Sequence, residues 1–383
     1  MSRSVAGIIM VGVAVVALSV AVSARAAEDV HIGFLGALTG PAASYGQDAI
    51  SGVRMAAEEI NAKNGIAGRT LVIDDGDDRG DPKEAANVAQ RFVADRNVVA
   101  MIGGVTSTAT FGATAVAQRD KLPFLITLAS HPDLTKEGNY IFRNSITQEF
   151  EGPRIADLMR VCLGAKNVAI MNLNNDWGVA MTENFIKGFE AGGGRILVRE
   201  TYNPGENVDY SSKLLKLKSA KPDAIFFGSQ YDDLALILKQ AQRVDLGVPL
   251  MASAGDHSTG LLQVAGAAAD GLHLHTTFFT DNPKANVQRF VKAFTAKFHK
   301  QPNLFSAQAY DSVFILADAI AKGGFDRQKT RDALAATKEF DGVTGAVTFD
   351  PTTREAVGRK TVPLVVKNGQ FTLWSDCAKK AGS

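Results

Sequence analysis

The chain has 383 residues, 41 of them Lys or Arg against 40 Asp or Glu, with 46% hydrophobic residues and two cysteines. The length is ample for two domains of roughly 150 residues. So even a charge balance excludes the basic footprint of a nucleic-acid binder or a polybasic membrane surface. In chain order the first feature is Arg3 followed by the apolar run "VAGIIMVGVAVVALSVAV" (5–22) and "SARAAED", with Ala24 and Ala26 as small residues. A basic start, an apolar stretch and an A-x-A end predict a cleaved secretory signal peptide over 1–26. No cysteine follows that would anchor a lipid, and no later run reads as apolar for long enough to cross a membrane. The expectation is an exported, soluble protein.

From residue 30 onward, short β-rich runs alternate with amphipathic helical patterns. "VHIGFLGAL" (30–38) predicts a strand, and Ile50, Val53, Ala57 and Ile60 fall at helical spacing over 48–62. "LVIDD" is the next strand. In "GDPKEAANVAQRFV", Asp81 stands as N-cap with Pro82 in the first turn and Glu84 three residues on. "VVAMIGG", "FLITLA" and "NYIFRN" complete this half. The second half repeats the grammar with "NVAIMNLN" (167–174), "RILVRETY", "AIFFGS" (224–229) and "PLMASA" (249–254), each separated by a helical pattern. Alternation of this kind means α/β architecture with parallel sheets covered on both faces. After residue 276 two long helical stretches precede three strand-like runs, so the chain is expected to return to its first domain and finish in its second.

Ligands of parallel α/β sheets bind at the carboxyl ends of the strands, where loops lead into helix N-termini. There "IGGVTSTATF" (102–111) places Thr106, Ser107, Thr108 and Thr110 after a glycine pair. A helix cap needs one hydroxyl, so the excess points to a carboxylate, with Ser107 and Thr108 as its partners. "GALTGPAASYGQ" offers Tyr45 as an aromatic wall, and "TLASHPDLT" offers the Ala129 carbonyl and the Ser130 hydroxyl. In the second half Trp177, Tyr231 and Asp256 follow strands in the same way.

Enzymatic signals are missing: no G-x-x-x-x-G-K-[ST], no G-x-G-x-x-G and no G-x-S-x-G. His273 and His275 in "LHLHTTFF" share a strand face without a third metal ligand, so they read as structural. "DDGDDRGD" (74–81) lacks the twelfth-position Glu of a calcium loop. The reading is therefore a non-catalytic binding protein with no cofactor and no metal. Cys162 and Cys377 either pair in an oxidising compartment or stay as separate thiols.

Several segments together resemble one family. "LTGPAASYG" (38–46), "INAKNGIAGRTL" (60–71), "DDRGDPKEAANVAQ" (77–90), "IGGVTST" (102–108), "PDLT" (132–135) and "AYD" (309–311) are similar to the leucine/isoleucine/valine-binding proteins, periplasmic receptors of branched-chain amino-acid ABC transporters. The resemblance covers nearly the whole chain after residue 26. It implies two Rossmann-like lobes of the type I periplasmic binding protein kind, joined by a three-segment hinge with crossings near 144–147, 276–278 and 340–344. The lobes would comprise residues 27–145 with 278–341, and 146–277 with 342–383. It further implies a monomer that hands its solute to permease subunits. Ser107 would bind the ligand carboxylate, Ala129 and Ser130 the α-ammonium, with Tyr45, Trp177 and Tyr231 as ring contacts. The acid that neutralises the ammonium in the family aligns with Ala254, and Asp256 is the nearby substitute. Without it, a small aromatic or aliphatic carboxylate lacking an amine becomes the alternative ligand.

Overall fold

A computed structural model of the chain describes residues 29–203 and 209–380. The expected signal peptide, 1–26, lies outside the described residues. Five parallel strands form the first sheet: β1 (Val30–Gly36), β2 (Leu71–Asp77), β3 (Val98–Gly103), β4 (Phe124–Ile126) and β5 (Ile141–Arg143), in the order β2-β1-β3-β4-β5. Three helices follow the first three strands: α1 (Ala43–Asn61), α2 (Pro82–Ala94) and α3 (Ser107–Arg119). The cap read from the sequence is in place, with the Asp81 carboxylate accepting from the Lys83 and Glu84 N–H groups. Helix α1 begins before the expected residue 48. Gly46 makes this possible, because a Cβ there would sit 1.9 Å from the Ala37 carbonyl oxygen. The first turn of α1 therefore lies close against the end of β1 and carries Tyr45 with it.

The chain then passes through 144–147 into α4 (Gln148–Cys162) and the second lobe. There β6 (Asn167–Leu173), α5 (Asp176–Ala191), β7 (Arg195–Tyr202), α6 (Ser211–Ser219), β8 (Ala224–Gly228), α7 (Tyr231–Val244), β9 (Leu250–Ala252), α8 (Thr259–Ala265) and β10 (Leu272–Thr276) alternate in order. From Thr276 the chain returns to the first lobe with α9 (Ala285–Phe298), α10 (Leu304–Gly323) and α11 (Arg327–Ala335). Helix α10 corrects one reading of the sequence. It is long and apolar enough to cross a membrane, by length and composition alone, and 78% of its apolar window is buried against the first lobe.

The third crossing also differs from expectation. Residues 340–357 fold into a small antiparallel sheet of β11 (Phe340–Gly342), β12 (Gly345–Phe349) and β13 (Ala356–Val357). It packs on the first lobe: the Phe349 and Phe142 rings lie 5.6 Å apart, and Glu355 bridges to Arg143 beside β5. The Glu355 carboxylate accepts from Arg143 Nε at 2.7 Å, and that arginine is fully buried. The last passage between lobes therefore falls between Val357 and Val362, not at 340–344. It delivers β14 (Val362–Lys367), β15 (Gln370–Leu373) and α12 (Ser375–Lys380) to the second lobe, whose sheet runs β15-β14-β10-β9-β8-β6-β7. Here β14 and β15 are antiparallel to the strands they join. Cys162 at the end of α4 and Cys377 in α12 form a disulfide, which decides between the two possibilities left open by the sequence.

Candidate functional site

The carboxyl ends of both sheets face one cleft between the lobes. From the first lobe, Tyr45, Ser107, Thr108, Ala129 and Ser130 line it, and from the second Trp177 does. Six of the eight residues singled out in the sequence thus meet in one place. The other two do not line it. Tyr231 is buried behind Tyr45, their ring centroids 4.4 Å apart, so it backs the wall. Asp256 is wholly buried beneath its loop, where its carboxylate accepts from the N–H and the hydroxyl of Ser253 at 3.0 and 2.8 Å. This closes a capping box around the short turn 254–256. Burial, opposed in part by those Ser253 bonds, pushes the Asp256 carboxyl well above the usual range. The expectation that it substitutes for the acid absent at Ala254 is corrected: Asp256 does not line the cleft, and its Oδ2 is taken by Ser253.

The first wall is a helix start. Thr106 is the N-cap of α3 in extended conformation, yet its side chain makes no cap bond, and its hydroxyl is buried without a partner. Ser107 and Thr108 fill the first two helical positions, where unpaired N–H groups and the helix dipole favour an anion. The Ser107 hydroxyl accepts from the His131 N–H at 3.3 Å and keeps its own proton free to donate. Further buried polar atoms without a partner face the same cleft: Thr277 Oγ1 and Gln308 Nε2. Buried polar groups are ordinarily hydrogen-bonded, so such a concentration marks a place where a ligand completes the bonding.

The Ala129 carbonyl is partly engaged, taking long bonds from Arg143 Nη1 (3.4 Å) and Ser145 Oγ (3.3 Å). The lobes are drawn together by bonds that cross the cleft. Trp177 Nε1 donates to Ser130 Oγ at 3.1 Å, and Thr108 Oγ1 donates to Asp176 at 2.8 Å. Tyr45 accepts the Tyr231 N–H at 2.7 Å, and Ser44 donates to Asp232 at 2.6 Å. The structure is closed.

Sequence reasoning missed Glu151, Gln308 and Phe305, all in the lining. Glu151 stands in the first turn of α4, which starts where the chain enters the second lobe with Thr147 as its cap. A helix that begins at a lobe crossing points its first turn at the cleft, and that was the available signal. The two strand histidines have separate structural settings. His273 packs on Trp374 at 4.2 Å, whereas His275 Nε2 lies 3.3 Å from Glu151.

The family model for periplasmic binding proteins matches residues 29–370. A leucine-, isoleucine-, valine-, threonine- and alanine-binding protein of Pseudomonas aeruginosa is 30% identical over 328 residues, covering 85% of this chain and 87% of its own. The branched-chain amino acid transporter substrate-binding protein of Streptococcus pneumoniae, solved with isoleucine, is 30% identical with a TM-score of 0.84 over 90% of this chain and 97% of its own. A solute-binding protein of Rhodopseudomonas palustris, solved with benzoate, shares the fold at a TM-score of 0.83 and 22% identity, over 90% of this chain and 95% of its own. Two lobes, a three-segment hinge and a match spanning nearly all described residues lead to one assignment: the chain belongs to the periplasmic binding protein family.

Proposed function

We propose that this chain is the non-catalytic receptor of an ABC importer, acting as a monomer in the periplasm after its leader is removed. It captures an amino acid of the branched-chain type between its lobes and presents the closed form to permease subunits. The observation that carries this reading is the wall at 106–108, where a helix N-terminus and its hydroxyls face a cleft that still holds unpartnered polar atoms. A carboxylate placed there satisfies the hydroxyls and the exposed N–H groups together. Leu128, Ile146, Leu304 and Phe305 leave an apolar space for an aliphatic body, bounded by the rings of Tyr45 and Trp177. The relatives in Pseudomonas aeruginosa and Streptococcus pneumoniae are amino-acid receptors by name, which supports the same class.

The withdrawal of Asp256 from the cleft favours a second reading, a small carboxylate without an amine. A thermal-shift screen on refolded protein separates the two. A ligand at about 100 times its Kd adds roughly 2.7 kcal/mol to stability. Upward shifts with leucine, isoleucine or valine support the amino-acid receptor. Shifts confined to amine-free acids select the second reading, and no shift with either class sinks both.

A further inference from the structure

Among the described residues that line the cleft, Glu151 is the one Asp, Glu, Lys, Arg or His. It is 4% exposed. Its Oε1 accepts the Ala254 N–H at 2.7 Å and also faces His275 Nε2 at 3.3 Å. Both contacts fall on one oxygen. The carboxylate is delivered to the lining from α4 and held there by the peptide N–H of Ala254.

We infer that Glu151 is the anionic partner of the ligand's ammonium and makes the site select a zwitterion over an amine-free carboxylate; this rests on the proposed receptor reading. Charge arithmetic within the cleft is the reason. An amine-free acid brings a second buried anion into a lining without a cationic side chain, and two nearby carboxylates disfavour each other's ionised form. A zwitterion sets its carboxylate on the N-terminus of α3 and its ammonium against Glu151, leaving neither charge unpaired. Selectivity of this kind comes from repulsion of the wrong ligand as much as from attraction of the right one. Asp256 stands outside the lining, with its Oδ2 bonded to Ser253.

The test is calorimetric titration of refolded protein with two matched pairs: leucine and 4-methylpentanoate, phenylalanine and 3-phenylpropanoate. Glu151→Gln retains the oxygen that accepts from Ala254 and removes the charge. It is expected to weaken the preferred amino acid by 100-fold or more while the amine-free partner binds as well as before or better. Glu151→Asp keeps the charge and is expected to keep the preference for the amine, which guards against a folding defect in the glutamine variant. Asp256→Asn should leave the preference within threefold. Amino-acid binding within threefold of wild type in Glu151→Gln, or equal loss of both members of a pair, overturns the inference and leaves the receptor reading standing. Wild-type protein that takes an amine-free acid and no amino acid overturns the inference together with the amino-acid reading and selects the amine-free receptor.

Discussion

The indole Nε1 of Trp177 donates to the hydroxyl of Ser130 at 3.1 Å, joining a residue of the second lobe to one of the first across the cleft. Both were expected to serve the ligand, and here they serve each other. Closure is thus written into the same side chains that line the site. A neutral hydrogen bond contributes about 1 kcal/mol net. Trp177→Phe keeps a ring and deletes the donor, so it should weaken ligand binding roughly fivefold, mostly through faster dissociation. Ser130→Ala should do the same, and the double variant should cost less than the two losses combined. Stopped-flow dissociation rates check this. Fully additive losses would mean that the two side chains act on the ligand independently.

Ser107 tests the anion end. Its hydroxyl sits at the first position of α3 and already accepts one bond, from the His131 N–H. Donation to a ligand carboxylate is a hydrogen bond to a charged group, worth about 1.5–3 kcal/mol. Ser107→Ala should therefore raise Kd on the order of 10- to 100-fold. The melting temperature without ligand should fall only modestly, from loss of the acceptor for the His131 N–H, because Thr106 and not Ser107 holds the cap position. Unchanged affinity would place the ligand's carboxylate elsewhere.

Much of this was legible in the sequence for a physical reason. Parallel strands buried on both faces read as unbroken apolar runs, so β3, β6 and β8 announce themselves, and the loops after them are where ligands go. The third crossing was not legible, because it depends on pairings that no local pattern encodes. Arg143 and Glu355 lie 212 positions apart, and their contact, with the Phe349–Phe142 packing and the bonds from Val343 and Thr344 to Asp311, keeps 340–357 on the first lobe. Asp256 is a different kind of miss. Ser253-x-x-Asp256 is a capping pattern and could have been read as one, which would have turned the carboxylate inward from the start. Glu151 escaped because its importance comes from Ala254, 103 positions away.

The disulfide gives a prediction confined to stability. Cys162 and Cys377 close a loop across 215 positions and tie α12 to α4 on the flank of the second lobe. Such a link typically contributes about 2–4 kcal/mol, mainly by restricting the unfolded chain. Cys162→Ser with Cys377→Ser should lower the denaturant midpoint accordingly, with ligand affinity within twofold, because neither residue lines the cleft. A large loss of affinity would show that α12 steers the closure of the lobes.

Asp78 predicts a pH dependence. It is fully buried at the end of β2; its Oδ1 accepts the Gly80 N–H at 2.8 Å, and its Oδ2 has no hydrogen-bond partner. Burial is the main cause that pushes its pKa up to about 6, from 3.8. The folded state therefore holds the proton more tightly than the unfolded state does. Stability from this residue is fully present below about pH 3.8 and is lost as pH rises through about 6, a change of roughly 3 kcal/mol by pH 7. Asp78→Asn keeps an oxygen for Gly80 and has no proton to lose. It should match wild type near pH 4 and exceed it by about 2–3 kcal/mol at pH 7 in urea unfolding. A difference that stays constant across that range would mean that Asp78 titrates like an exposed carboxylate.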